Sequence, residues 1–223
     1  MAKITWDAIG ERIGEGGVKN GVLYTIGETG AYGNGVPWNG LIGVSESPTG
    51  AESSPFYADD IKYLDITSLE EFGGSIEAYT YPDEFKPCIG ELELKTGVSV
   101  TQQTRTMFGF VYKTTMVNDA KGMDFGYKLH LIYGAKAGVS EVARATLNEN
   151  PDLVTFNWNI TTTPVPVTGG RPTSHLIIDS TKLAEADSTK LATLEDQLFG
   201  TDDDEDAIIP NLPLPDAVAA MFA

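Results

Sequence analysis

The feature that most constrains this chain is a procession of short segments dense in β-branched and aromatic residues. Each is closed by Gly, Asn, Asp or Pro. In order they are GVLYTIG (21–27), WNGLIGVSE (38–46), IKYLDIT (61–67), GSIEAYTY (74–81), KTGVSVTQQT (95–104), MFGFVYKTTM (107–116), YKLHLIYG (127–134), SEVARAT (140–146), LVTFNWNITTTPV (153–165) and SHLIID (174–179). Several alternate with period two. Val154, Phe156, Trp158 and Ile160 fall on one side of an extended chain, with Thr155, Asn157 and Asn159 opposite. Tyr127, Leu129, Leu131 and Tyr133 share a side in the same way. The density of strand formers and the spacing of turn signals predict an all-β protein, a β-sandwich or barrel. The length of 223 residues is ordinary for one such domain and sufficient for a substantial core.

Three stretches break the pattern. The first twenty residues are Gly-rich and weakly patterned, and read as an arm or loop. Residues 45–60, SESPTGAESSPFYADD, carry two prolines and no periodicity. They read as an extended loop, and a loop of that length in a compact domain is usually functional or mobile. Residues 187–200 hold the one amphipathic helix: Leu191, Leu194 and Leu198 recur at helical spacing, Asp187 or Ser188 stands at the start, and Gly200 follows the last turn. The predicted organisation is therefore a domain over 1–200 with one flanking helix, and a C-terminal arm over 201–223. That arm begins with the acidic run DDDED (202–206), which reads as a solvated, self-repelling connection. Pro210, Pro213 and Pro215 then forbid a continuous helix. Its apolar residues Ile208, Ile209, Leu212 and Leu214 either pack back on the body or dock on a neighbour. Together with Pro48, Phe56 and Tyr57 of the loop they are the candidate inter-subunit contacts, because aromatic and aliphatic side chains on extended segments anchor interfaces.

No motif carries catalysis. Asp83 and Glu84 in YPDEF are adjacent, whereas an acid–base pair must face each other across space; after Pro82 they read as the acidic start of a helical turn. His130 and His175 have no partner at a metal-ligand spacing. GETGAYGNG (27–35) lacks the phosphate-loop pattern. The DDDED run departs from a calcium loop at Ala207 and Pro213. Trp38, Tyr63, Tyr79, Tyr81 and Trp158 are enough aromatics for a sugar platform, but aromatics on alternating strands more often build core or interface. No catalytic, cofactor or metal residues are expected, and the protein is not expected to be an enzyme. Cys88 is the only cysteine, so no intrachain disulfide forms, which fits a reducing compartment. No run is apolar enough to span a membrane, and the N-terminus has no secretory pattern. The net charge of −17 argues against a surface that grips nucleic-acid phosphates. From Arg171 onward there are 11 acids against 3 bases, and in the rest 21 against 12, so the body is acidic as well as the tail.

Four blocks, taken in order, resemble the major tail tube proteins of long non-contractile phage tails, particularly those of phages and prophages of Gram-positive hosts. They are WNGLIGVSESPTGAESSPFYADDIKYLDI, SIEAYTYPDEF, GYKLHLIYGAKAGVSEVARATLNENPDLVTFNWNITTTPVPV and LEDQLFGTDDDEDAIIPNLPLPDAV. The resemblance spans most of the chain and rests on the order of the blocks. It implies a structural virion protein of the phage tail, assembled in the host cytoplasm, that forms hexameric rings stacked into a hollow tube. It implies contacts with the tape measure protein, the tail terminator and the distal tail proteins. DNA would pass through the lumen without specific binding, which suits an acidic body because like charges do not adhere. Two other classes remain open at this point: a tube protein of a contractile tail or secretion device, and a carbohydrate-binding β-sandwich of a virion decoration or baseplate.

Overall fold

The computed structural model describes residues 4–27, 29–146, 152–202 and 207–223. Strands dominate. In chain order they are β1 (Ile13–Ile26), β2 (Tyr32–Pro37), β3 (Leu41–Glu46), β4 (Thr49–Gly50), β5 (Ser53–Ala58), β6 (Ile61–Thr67), β7 (Glu70–Glu71), β8 (Gly73–Ala78), β9 (Leu92–Lys95), β10 (Val98–Val100), β11 (Phe108–Asn118), β12 (Gly122–Ala137), β13 (Phe156–Thr162) and β14 (His175–Asp179). The helices are α1 (Lys86–Ile89), α2 (Ser188–Phe199) and α3 (Pro215–Met221), with 3₁₀ turns before α1 and α2.

Eight strands form one antiparallel sheet in the order β2-β1-β11-β12-β13-β8-β3, with β14 added to β12. The consecutive strands β2 and β3 stand at opposite ends of this path. Six inter-strand spacings of ~4.8 Å would put the ends of a flat sheet about 29 Å apart. The connection from Pro37 to Leu41 reaches ~14 Å at most. The sheet must therefore roll into a barrel-like curl, and the Trp38 amide hydrogen-bonds the Gly21 carbonyl of β1 where the two ends meet.

Period two sorts side chains to two cores. Leu23, Phe108, Phe110, Tyr112, Ile132 and Trp158 point into the curl. Val22, Tyr24, Val111, Leu129, Leu131 and Tyr133 point outward, where Leu191, Leu194 and Leu198 of α2 cover them. Strands buried on both faces explain the near-continuous apolar run in β11. YPDEF is a corner that plugs the inner core: Phe85 is fully buried between Trp38, Phe108 and Trp158. Asp83 sits exposed at the N-terminus of that turn and pairs with Lys86. Gly134 bends β12 with a φ of 57°, and a Cβ there would collide with the Thr163 carbonyl oxygen. The bend divides β12 into a half that pairs with β14 and a half that pairs with β13.

The all-β architecture with a flanking helix is as expected, but several local expectations change. β1 begins at Ile13, so much of the first twenty residues is sheet rather than arm. Segment 38–46 contains a turn that separates β2 from β3, and 95–104 contributes only the short strand β10, paired with β9. Residues 140–146 have no regular structure. The stretch 45–60 is not a loop: after the end of β3 it carries β4 and β5, which pair with β7 and β6.

Candidate functional site

Two places in the fold carry features beyond core packing. The first is a two-stranded ribbon that leaves the sheet where β3 pairs with β8. It runs out through β4 and β5 and returns through β6 and β7. Its tip is a two-residue turn at Asp59 and Asp60, with φ of 50° and 62°, the conformation that hairpin turns require. Residues directly opposite across a ladder share a face. Phe56↔Leu64 and Ser54↔Ile66 therefore form one face and Ser53↔Thr67 and Pro55↔Asp65 the other. The first is apolar and about half exposed at Phe56, Leu64 and Ile66. The second is polar: the Ser53 hydroxyl and Lys62 ammonium donate to the Asp65 carboxylate, which holds that carboxyl below its usual range. Tyr57, Ile61 and Tyr63 near the tip are more than six-tenths exposed. Of the candidate contacts in this region, Phe56 and Tyr57 lie on the ribbon and Pro48 lies exposed at its base.

The C-terminal candidates divide. Leu212 is buried in the outer core with α2, and Val218 of α3 joins it. The segment is tied down by hydrogen bonds from the Asn211 amide to the Gln197 carbonyl (2.8 Å), from the Gly35 amide to the Pro210 carbonyl (2.9 Å) and from the Tyr133 hydroxyl to the Pro213 carbonyl (3.0 Å). Leu212 is thus a contact within its own chain, because the outer face of β11 and α2 would otherwise be left open. Ile208, Ile209 and Leu214 remain partly or largely exposed. Most of the acidic run, 203–206, lies outside the described residues. The sugar-platform aromatics do not form a surface: Trp38, Trp158 and Tyr81 pack edge-on in and against the inner core, while Tyr63 is on the ribbon and Tyr79 stands half exposed.

The second place is a polar cluster that sequence reasoning missed. His130 on β12 and His175 on β14 meet, with Nδ1 of the first 3.1 Å from Nε2 of the second. Glu46, the last residue of β3, brings Oε1 to 3.4 Å from His130 Nδ1 and 3.8 Å from His175 Nε2. The Tyr112 hydroxyl donates to the same oxygen at 2.7 Å. On the far side of His130, Nε2 lies 3.1 Å from Thr114 Oγ1 and 3.5 Å from Glu15 Oε1. Glu15 in turn pairs with Lys128. The Tyr112 ring stacks on His130 (4.6 Å, 5°) and Phe72 packs on His175 (4.5 Å, 41°).

Electrostatics keep both imidazoles neutral. Burial pushes them below the ordinary histidine value, that of His175 to about 4, and outweighs the pull of Glu46. Burial and the Glu46 carboxylate push the Tyr112 hydroxyl upward, so it stays a donor. Burial opposes the charge on Glu15, but hydrogen bonds from Lys128 and Thr114 hold its carboxyl below the usual range. Two neutral imidazoles and a carboxylate converging on one point are the donor types that suit a transition-metal ion. The expectation that neither histidine has a partner is overturned: each partners the other, across a register that chain spacing does not reveal. No family model matches this chain, and no curated protein matches its sequence.

Proposed function

We propose that the chain is a tube subunit of a phage tail, which self-assembles into stacked rings by docking its ribbon on the next copy. The observation that carries this reading is the amphipathic ribbon, with Phe56, Leu64 and Ile66 on one face and no core of its own beneath them. An isolated hairpin is marginally stable in water, and an apolar face of this kind is stabilised by being covered. The β5–β6 pair is the longest strand pair outside the main sheet, so the ribbon offers a neighbour an extended apolar face. Completing the burial of three half-exposed side chains contributes roughly 2–4 kcal/mol per contact before ordering costs. A closed ring repeats that contact once per subunit. The hexameric number, the tape measure, terminator and distal partners, and passage of DNA belong to the same proposal through the resemblance of the four sequence blocks. The acidic balance of the body supports a conduit that repels phosphates.

The test is to replace residues 52–68 with a short Gly-Ser connection. The subunit should remain folded by circular dichroism and monomeric by light scattering, while the native chain forms rings or tubes in negative-stain micrographs. Tubes of normal width from the shortened chain would overturn the proposal.

A further inference from the structure

We propose that Glu46, His130 and His175 bind a divalent transition-metal ion of the zinc class, which pins the base of the ribbon to the barrel. The geometry of the three side chains supports the site whether or not the chain builds a tube. In a tetrahedral zinc site with bonds of ~2.0–2.1 Å, neighbouring donor atoms lie ~3.3–3.4 Å apart. The three separations here are 3.1, 3.4 and 3.8 Å. All three donor atoms lie within 4.8 Å of one another, the one such group among the described residues. A histidine–histidine hydrogen bond would account for the 3.1 Å distance alone. It leaves the Glu46 carboxylate aimed at both nitrogens but short of good hydrogen-bond contact with either. A cation between the three satisfies all of them at once.

The surroundings match what metal ligands require. A ligating imidazole is commonly oriented by a partner on its other nitrogen. His130 has that partner in Glu15 and Thr114 at Nε2, which leaves Nδ1 facing the site. Glu46 has its own in the Tyr112 hydroxyl. The rings of Tyr112 and Phe72 fix the planes of the two histidines. Three protein donors leave a fourth position to water. The ligands come from β3, β12 and β14, which are far apart in sequence. Glu46 stands where the chain enters the ribbon, and Phe72, against His175, stands where it returns. The ion would therefore join both feet of the ribbon to the centre of the sheet.

The test uses the 223-residue chain stripped with chelator and then titrated near neutral pH with Zn²⁺ or Co²⁺ alone. The expected result is one ion per chain, the visible absorption of tetrahedral Co²⁺, and a melting temperature that rises with free metal. Glu46→Gln and His175→Gln should each weaken binding by at least ~10-fold. Tyr112→Phe removes only the outer hydrogen bond, so it keeps the fold and should weaken binding by a smaller factor while shifting the Co²⁺ spectrum. Absence of saturable binding by the folded native chain overturns the site. So does native-like binding and an unshifted spectrum in these variants, which would put the metal elsewhere. Micrographs of the stripped chain read tube formation separately, so failure of the metal site and failure of the tube reading are distinguishable.

Discussion

Leu212→Ala should destabilise the isolated subunit by about 3 kcal/mol, within the ~2–5 kcal/mol typical of a buried Leu truncated to Ala. The magnitude follows from where the side chain sits. Leu212 is 5% exposed and packs with Tyr24, Tyr133 and Leu198 in the outer core. One of its methyl groups occupies the space that a Cβ on Gly109 would fill. Because β11 lies in the middle of the sheet, that hollow cannot collapse easily, and the cavity cost adds to the lost transfer energy. A domain of this kind is stable by roughly 5–15 kcal/mol, so the loss is a large fraction of the total. The assay is urea unfolding followed by fluorescence of the buried Trp38 and Trp158, at a chain concentration low enough to exclude the proposed assembly. A lower midpoint with an unchanged slope is the expected result. Truncation after Gly200 should be worse, since it also removes Val218 and leaves the Tyr133 hydroxyl without the Pro213 carbonyl. A Leu212→Ala subunit whose midpoint is native but which no longer assembles would refute the reasoning and return this segment to an assembly arm.

Two further outcomes are expected of the metal-free subunit. Because burial lowers the folded value of His175 to about 4, the unfolded chain takes up protons first as pH falls. Stability is complete above the ordinary histidine value and is lost below it, by about 1 kcal/mol for this group between roughly pH 7.5 and 5.5. Urea midpoints across that window should fall less steeply in His175→Gln, and an identical slope would show that the histidine does not titrate this way. Gly134→Ala forces an alanine into positive φ and against the Thr163 carbonyl, so it should cost more than ~2 kcal/mol. A native melting temperature in that variant would mean the bend in β12 is dispensable.

The strands that were readable in the sequence are those with one clear inner face or two buried ones. β13 alternates Phe156, Trp158 and Ile160 because one side meets the core. α2 was readable for the same reason, through its three leucines. Of the ribbon only the returning strand β6 was readable, as IKYLDIT; the outgoing half was not, because nothing of its own chain covers it. Ser53 to Ala58 carries Ser, Pro and Tyr in an order that hydrophobic periodicity cannot distinguish from a loop. The early part of β1 was hidden by GEGG, where exposed residues and glycines carry no alternation. SEVARAT failed in the opposite sense: it has strand formers but no ladder partner among the described residues. The histidines are the deepest case. His130 pairs in register with Ile177, and His175 with Ile132, so their meeting depends on the exact alignment of β14 on β12. Glu46 reaches them only because the sheet is rolled. Neither fact is local, and only local facts are visible along a chain.

The strand order also sets a timetable for folding. β1 must find β11, and its first residue pairs with Asn118, so the barrel cannot begin to close until more than half the chain has emerged. β14 and α2, which complete the outer layer, come later still. Contacts this distant in sequence make for slow folding. The ribbon is the reverse case, a local hairpin that forms in about 1–10 μs once its turn exists. Its apolar face is thus on display throughout synthesis, before the barrel has closed. Asp59, Asp60, Lys62 and Asp65 stand in or beside the apolar residues and act as gatekeepers against premature strand-to-strand aggregation. Neutralising those charges should leave the finished fold unchanged yet lower the yield of soluble chain, because the damage would be done before the barrel exists.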